Sequence, residues 1–237
     1  MVPKTLSSKS WKIRYRNHIL WRRSLVVEWE RIYRKRVLQS WRGWYEGALY
    51  ALKSDANVVV VVEDCDIFVL LMTFFLTTKP KFKWSVRYCV YKYAKIEDIV
   101  KNLGNNAFNF LIQYHAISGC DTTSYFYRIG KVIPFKNAVE KGNLYLLKEL
   151  GTEKSISPEF VESCKEFMRT VLYKGNSYKT YLQTRVRLND KQSTKSKTTM
   201  TIPPDIDSCT QHILRCLLTA LNWINSDKNT IPSIKVR

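Results

Sequence analysis

Val58-Val59-Val60-Val61-Val62-Glu63-Asp64-Cys65-Asp66-Ile67-Phe68-Val69-Leu70-Leu71 is the stretch that sets the fold class. Five consecutive valines suit a strand buried on both faces, because β-branched side chains fit the pleat and a central parallel strand need not alternate. Three carboxylates, Glu63, Asp64 and Asp66, follow at its carboxyl end before the apolar pattern resumes. In open α/β sheets that edge is where ligands and metals bind. Clustered carboxylates repel one another unless cations, protons or water offset the charge. Two readings stand: a metal site, or a solvated turn that ends the strand.

A chain of 237 residues with 45% hydrophobic content can bury a core of ordinary size, most simply as one α/β domain with terminal additions. The net charge of +19 points to a polyanionic partner, nucleic acid first and an anionic membrane surface second. Six scattered cysteines, with no CxxC pair, fit reduced intracellular thiols better than a disulfide framework. No secretory signal stands at the N-terminus. The most apolar window, Val58 to Leu76, is interrupted by acids and does not suit a membrane span.

The charge is concentrated. Residues 1–45 hold twelve Lys and Arg against Glu28 and Glu30, a net of +10. Trp11, Tyr15, Trp21, Trp29, Tyr33, Trp41, Trp44 and Tyr45 are interleaved with them, a mixture that suits phosphate neutralisation with base stacking. The alternative is an amphipathic helix docked through Ile19, Leu20, Leu25, Val26 and Ile32, with its arginines in water. The two are compatible. The segment Lys191 to Thr199 reads as a flexible basic loop.

Between these ends the pattern alternates. Phe82 to Tyr91 has strand composition, and Ile96 to Leu103, closed by Gly104, has a helical one. Asn105 to Ile117 reads as a helix delivering the chain to Ser118-Gly119-Cys120-Asp121-Thr122-Thr123. Further helices are expected over Pro134 to Leu150, Pro158 to Tyr173 and, after the start signal Pro203-Pro204-Asp205, Ile206 to Ile224. The expected organisation is a basic aromatic segment at 1–45, an α/β core at 46–150 and a helical extension at 151–237 with a basic loop at 190–200.

The valine strand with Glu63-Asp64-Cys65-Asp66-Ile67-Phe68-Val69-Leu70-Leu71, followed by His115-Ala116-Ile117-Ser118-Gly119-Cys120-Asp121-Thr122-Thr123-Ser124, resembles a PIN-like nuclease domain of the flap-endonuclease kind. The similar group is a divergent one found in transposon-associated and uncharacterised animal proteins. Pro203-Pro204, Gln211-His212 and Trp223 match its C-terminal pattern, so the resemblance covers roughly Leu49 to Ile234.

The resemblance implies a PIN-like parallel sheet flanked by helices, with a mainly helical C-terminal part. It implies Mg2+ or Mn2+ held by carboxylates, hard oxygen ligands suiting hard cations. Paired cations about 4 Å apart would activate water and stabilise the leaving oxygen of a phosphodiester. Carried over, Asp64, Asp66 and Asp121 become catalytic metal ligands. Gly130 and Lys131, with Arg128 nearby, match a turn between helices that grips duplex phosphates. From local sequence alone Asp121 reads instead as a helix N-cap.

The family's upstream acidic helix is reduced here to Glu46 in the window Gln39 to Leu52, and the aspartate expected on an earlier strand has no counterpart that aligns. Glu46 is thus a fourth candidate ligand, and a two-metal hydrolytic site looks incomplete. The expected function is a metal-dependent endonuclease or phosphodiesterase, catalytically impaired, acting on DNA rather than RNA in the nucleus. The alternative is a non-catalytic nucleic-acid-binding or protein-interaction domain of the same descent. Cys209, His212 and Cys216 share one helix face and read as core rather than as a zinc site, which would need a fourth ligand. A Cys120–His115 nucleophile pair is disfavoured by spacing, and His115 reads as a packed or capping residue.

Overall fold

The valine run forms β3, Asn57–Val61, the middle strand of a five-stranded sheet of order β1-β2-β3-β4-β5 among the described residues. The structure, a computed structural model, describes residues 11–16, 24–29, 45, 48–53, 57–62, 64–89, 92–152, 155–175, 177–193, 202–226 and 235–236. The chain divides into two compact units, Met1–Asn105 and Asn106–Arg237. It is a mixed α/β structure.

In the first unit β3 pairs parallel with β2, Ser24–Trp29, and with β4, Trp84–Cys89. The outer strands β1, Trp11–Arg16, and β5, Lys92–Lys95, pair antiparallel to their neighbours. Val58 to Val62 are all buried, as a strand with neighbours on both sides and cover on both faces requires. The ladder continues past the strand end, where Val62 N–H donates to Arg87 O at 3.1 Å. Helix α1, Cys65–Thr78, then makes the crossover that a parallel β3–β4 pair needs. It is apolar on nearly every side: Leu70, Leu71 and Met72 are buried, and Phe74 and Phe75 pack on Trp84 at 6.0 and 6.3 Å between ring centres. Residues 48–52 are helical and bury Ala48 and Ala51, and Tyr45 meets Phe74 edge-on at 5.6 Å. Helix α2, Ile96–Leu103, closes the unit with Gly104 as its C-cap.

The second unit is built on its last helix. The short helices α3, Asn105–Phe108, and α4, Leu111–Ile117, are followed by α5, Val132–Glu140, a 3-10 turn over Asn143–Leu147, and α6, Pro158–Phe167, which runs into a π-helical turn, Met168–Leu172. Helix α7 covers Tyr181–Ser193 and α8 covers Ile206–Ile224. β6, Ser155–Ile156, pairs parallel with β7, Lys235–Val236. Asp205 caps α8 by accepting from Ser208 N–H at 2.8 Å, and Ser157 caps α6 by accepting from Phe160 N–H at 3.1 Å. The α8 stripe of Cys209, His212, Ile213, Cys216, Leu217 and Ala220 is buried, and His212 and Cys216 reach the Ile117 and Ala116 carbonyls of α4. Arg169 is buried yet satisfied: its guanidinium donates to Glu166 and to the Gly175 and Tyr178 carbonyls, fastening the loop before α7.

Several expectations need correction. The docked amphipathic helix is not formed where the N-terminal segment is described: Leu25 and Val26 lie in β2, while Ile19, Leu20 and Ile32 fall outside the described residues. Apolar alternation at Trp11, Ile13 and Tyr15 and the run Leu25-Val26-Val27 favour strands once an unpaired edge of β3 is available to them. The sheet is consequently mixed rather than parallel throughout. The pairing of β2 with β3 carries the sheet across the 45/46 change in composition, and the two units meet in sequence at Asn105/Asn106. Asn105 to Ile117 is two helices broken at Asn109 and Phe110, and the expected helix from Pro134 stops at Glu140. The helix Tyr181–Ser193 takes in the first residues of the expected basic loop; residues 194–200 are outside the described ones.

Gly151, at φ +89°, closes the turn after the 3-10 segment against α8, where an added Cβ would lie 2.8 Å from Ala220 Cβ and Ile224 Cδ1. Gly142, at φ +69°, faces open space. Gly142→Ala therefore carries only backbone strain, about 1 kcal/mol. Gly151→Ala adds overpacking of roughly 1–3 kcal/mol. Urea unfolding of the two variants side by side should place Gly151→Ala clearly lower, and equal midpoints would contradict this packing.

Candidate metal and nucleic-acid sites

Asp64 and Asp66 stand together where β3 hands over to α1. Asp64 is the N-cap, in extended conformation at φ −101° and ψ 126°, and its Oδ1 accepts from Asp66 N–H at 2.8 Å. Capping is the ordinary use of an aspartate before a helix, so the bland reading of the acidic turn explains part of this residue. Asp66 is less ordinary. It is only 4% exposed, in the first turn of α1, with the Cys65 thiol 3.8 Å from Oδ1. A helix N-terminus favours negative charge, which helps to keep a carboxylate there. Glu46 and Glu63 lie outside the described residues.

The strand register adds an acid that the sequence reading passed over. Glu28 of β2 occupies the position beside Val61, at the same carboxyl edge of the three parallel strands. Its signal was present: Leu25-Val26-Val27-Glu28 is an apolar run ending in an acid, as the valine run is. Only a parallel β2–β3 pairing aligns the two ends. Carboxylates are hard oxygen donors, the type that suits Mg2+ or Mn2+, and the Cys65 thiol beside Asp66 is a softer donor at the same helix end.

Asp121 belongs to the second unit and is exposed. It does not cap a helix, because none starts there. It sits in a tight turn in which Thr123 N–H donates to Cys120 O at 3.2 Å, Thr123 Oγ1 accepts from Cys120 N–H at 3.0 Å, and the same hydroxyl donates to Ala116 O at 2.8 Å. Thr122 and Thr219 share a hydroxyl hydrogen bond of 2.9 Å that ties the turn to α8. Gly119, at φ +105°, is needed because a Cβ there would lie 2.8 Å from Ser124 O and Tyr125 Cα. The small residues of the motif are thus accounted for by turn geometry.

Arg128, Gly130 and Lys131 lie between α4 and α5, but the glycine is not the special residue. Gly130 has open space around its Cβ position and no left-handed backbone; the left-handed residue is Arg128 at φ +59°. Lys131 Nζ lies 3.0 Å from His115 Nδ1 and 5.7 Å from the Tyr125 ring centre, and its carbonyl accepts from Tyr114 OH at 2.6 Å. Burial pushes the Tyr114 phenol above its ordinary range, so it remains a donor. His115 is buried and stacks on Trp223 at 5.6 Å, the packed role expected of it. Cys120 Sγ lies 3.3 and 3.2 Å from the Thr122 and Thr123 hydroxyls.

The Cys209, His212, Cys216 stripe is core. Cys209 Sγ lies 3.7 Å from Met168 Sδ, and His212 Nε2 donates to Ile117 O at 3.0 Å. Burial pushes both thiols up, Cys216 strongly. Comparison of the chain with family models, with curated proteins and with solved structures finds no match. Among the described residues no helix is long and apolar enough to cross a membrane.

Burial, helped by the field of Arg215 and opposed by the Ile117 hydrogen bond, lowers the pKa of His212 below 6.5. A histidine depressed in the folded state is stabilising above its unfolded value, and that contribution is lost as pH falls through the window below it. The unfolding free energy of the wild type should therefore drop more steeply as pH falls below about 6.5 than that of His212→Gln. Parallel slopes in urea titrations of the two proteins would show that His212 is not buried in its neutral form.

Proposed function

We propose that the chain is a nucleic-acid-processing protein with a PIN-like core of the flap-endonuclease kind, in which Asp64 and Asp66 hold Mg2+ or Mn2+ and hydrolysis is weak. The observation that supports this most is Asp66, a carboxylate buried at the carboxyl edge of a valine strand paired parallel on both sides. A carboxylate held at that edge, in the first turn of a helix, is a hard oxygen donor of the kind a divalent cation takes. When bound, the ion would polarise a phosphoryl oxygen and lower the pKa of water. The chain's own part is to orient the donors. Asp64 is locked by its cap bond, Asp66 is locked by burial, and Glu28 stands at the same edge in register.

The net charge of +19 supports a polyanionic substrate; DNA in preference to RNA, and a nuclear location, belong to the proposal through the resemblance alone. Weak hydrolysis follows from the small number of acids. Two-metal chemistry divides several carboxylates between its ions, and the window Gln39 to Leu52 retains only Glu46. The same charge favours a second reading, in which nucleic acid is bound without being cut.

Asp64→Asn and Asp66→Asn separate the roles, since asparagine caps a helix as well as aspartate does. Wild-type protein should gain several degrees in melting temperature with millimolar Mn2+ or Mg2+, and Asp66→Asn should lose that gain while keeping its metal-free stability. Glu28→Gln should weaken the response, and Asp121→Asn tests the third aspartate that the resemblance implies. Cleavage of branched or single-stranded DNA should be slow and metal-dependent. Slow cleavage that persists in Asp66→Asn, or a wild type indifferent to both cations, would remove the metal reading and leave binding alone.

A further inference from the structure

Residues 124–131 run from the Cys120–Thr123 turn to α5 without regular secondary structure, yet they are firmly held. Phe126 is buried, and its ring meets Tyr173 at 5.7 Å and His212 at 5.0 Å, both edge-on. Ile129 N–H donates to Phe126 O at 3.1 Å, and Tyr114 OH holds the Lys131 carbonyl. The residues flanking this anchor face water: Tyr125 is 61% exposed and Tyr127 38%. Each carries a cation at its ring, Lys131 Nζ at 5.7 Å from the centre of Tyr125 and Arg128 Cζ at 5.2 Å from that of Tyr127. Val132 and Ile133, 68% and 65% exposed, continue the apolar surface.

An anchored loop with two exposed tyrosines, each with a cation over one face of its ring, presents what a base on the other face and its phosphate together require. The ring stacks on the base, the cation pairs with the phosphate, and little conformational entropy is lost because the loop is already fixed. Base faces in a duplex are covered by their neighbours, whereas those of a single strand are open. An acidic peptide would use the two cations but leave the tyrosine faces unused.

We propose that Tyr125 and Tyr127, with Arg128 and Lys131, form a stacking surface for single-stranded nucleic acid. The proposal rests on the nucleic-acid reading above and narrows it, replacing a grip on duplex phosphates with contact to unpaired bases. The left-handed backbone of Arg128, uncommon for a residue with a side chain, belongs to the turn that brings its guanidinium over Tyr127.

Fluorescence anisotropy with the full chain, a labelled oligothymidylate and a duplex of equal length, at several salt concentrations, tests it. The single strand should bind more tightly. Tyr125→Ala and Tyr127→Ala should each weaken it by roughly tenfold with the salt slope unchanged, while Tyr→Phe at either position leaves it intact. Arg128→Asn, a neutral residue that tolerates the left-handed backbone, should lower the slope by roughly 0.7, one single-strand phosphate contact. Far-UV circular dichroism of the tyrosine variants should match the wild type, which separates lost stacking from lost fold. Wild-type binding that is indifferent to both Tyr→Ala changes, or lost equally for duplex and single strand, overturns the stacking surface and leaves the nucleic-acid reading standing. Polyglutamate competing as well as oligothymidylate at equal charge overturns it in favour of an acidic protein partner. A wild type that binds no nucleic acid at low salt removes both readings.

Discussion

The constraint on which the first unit depends is the two-sided parallel pairing of β3. A strand of valines buried on both faces has no amphipathic preference to set its register, so the ladder with β2 and β4 and the packing of α1 must hold it. Parallel strands put their carboxyl ends at one edge, and α1 begins there with its N–H groups unsatisfied by the helix itself. An acid at that edge can serve as a cap, as Asp64 does, or be carried inward by the first helical turn, as Asp66 is. The chemistry proposed for this edge is a consequence of strand polarity before it is a matter of any one side chain.

The second unit obeys a different constraint, the burial of polar groups along α8 against α4. His212 and Cys216 sit at 3% exposure or less, and His212 Nε2 and Cys216 Sγ are directed at carbonyls of the preceding layer, while His212 Nδ1 is buried without a hydrogen-bond partner among the described residues. Unpaired, those carbonyls and Nε2 would each carry a desolvation penalty of about 1–3 kcal/mol. The Gly119 turn continues from the same α4 carboxyl end, and Phe126 packs on His212. The loop that displays Tyr125 and Tyr127 is therefore set by the same core contact that fixes the last helix. Structural and binding roles are divided here by alternation along the chain: Phe126 inward, its two tyrosine neighbours outward.

Much of this was legible in residue order. Val58 to Val62 could only be a buried strand, Pro203-Pro204-Asp205 could only start a helix, and α8 runs from Ile206 to Ile224 as its periodicity requires. The core reading of Cys209, His212 and Cys216 also followed, since their spacing puts them on one face with Ile213, Leu217 and Ala220. The errors share a cause. Residues 11–29 have both basic-helix and strand character, and a local reading has no means of knowing that β3 offers an edge to pair with. In the loop before α5 positive φ falls on Arg128 and not on Gly130, a backbone choice that no local pattern shows.

By itself the sequence determined the buried strand, the acids after it, the helix starts, the positive charge and the presence of aromatic residues near basic ones. These depend on side-chain chemistry and on intervals of a few residues, which local physics settles. Tertiary structure alone decided that Glu28 stands in register beside Val61, that Asp66 is carried inward while Asp64 caps, and that Phe126 is buried while Tyr125 and Tyr127 are exposed. Those outcomes depend on which strand pairs with which and on which side of a loop meets the core. Such contacts join residues far apart in the chain, and no short window of sequence contains both partners.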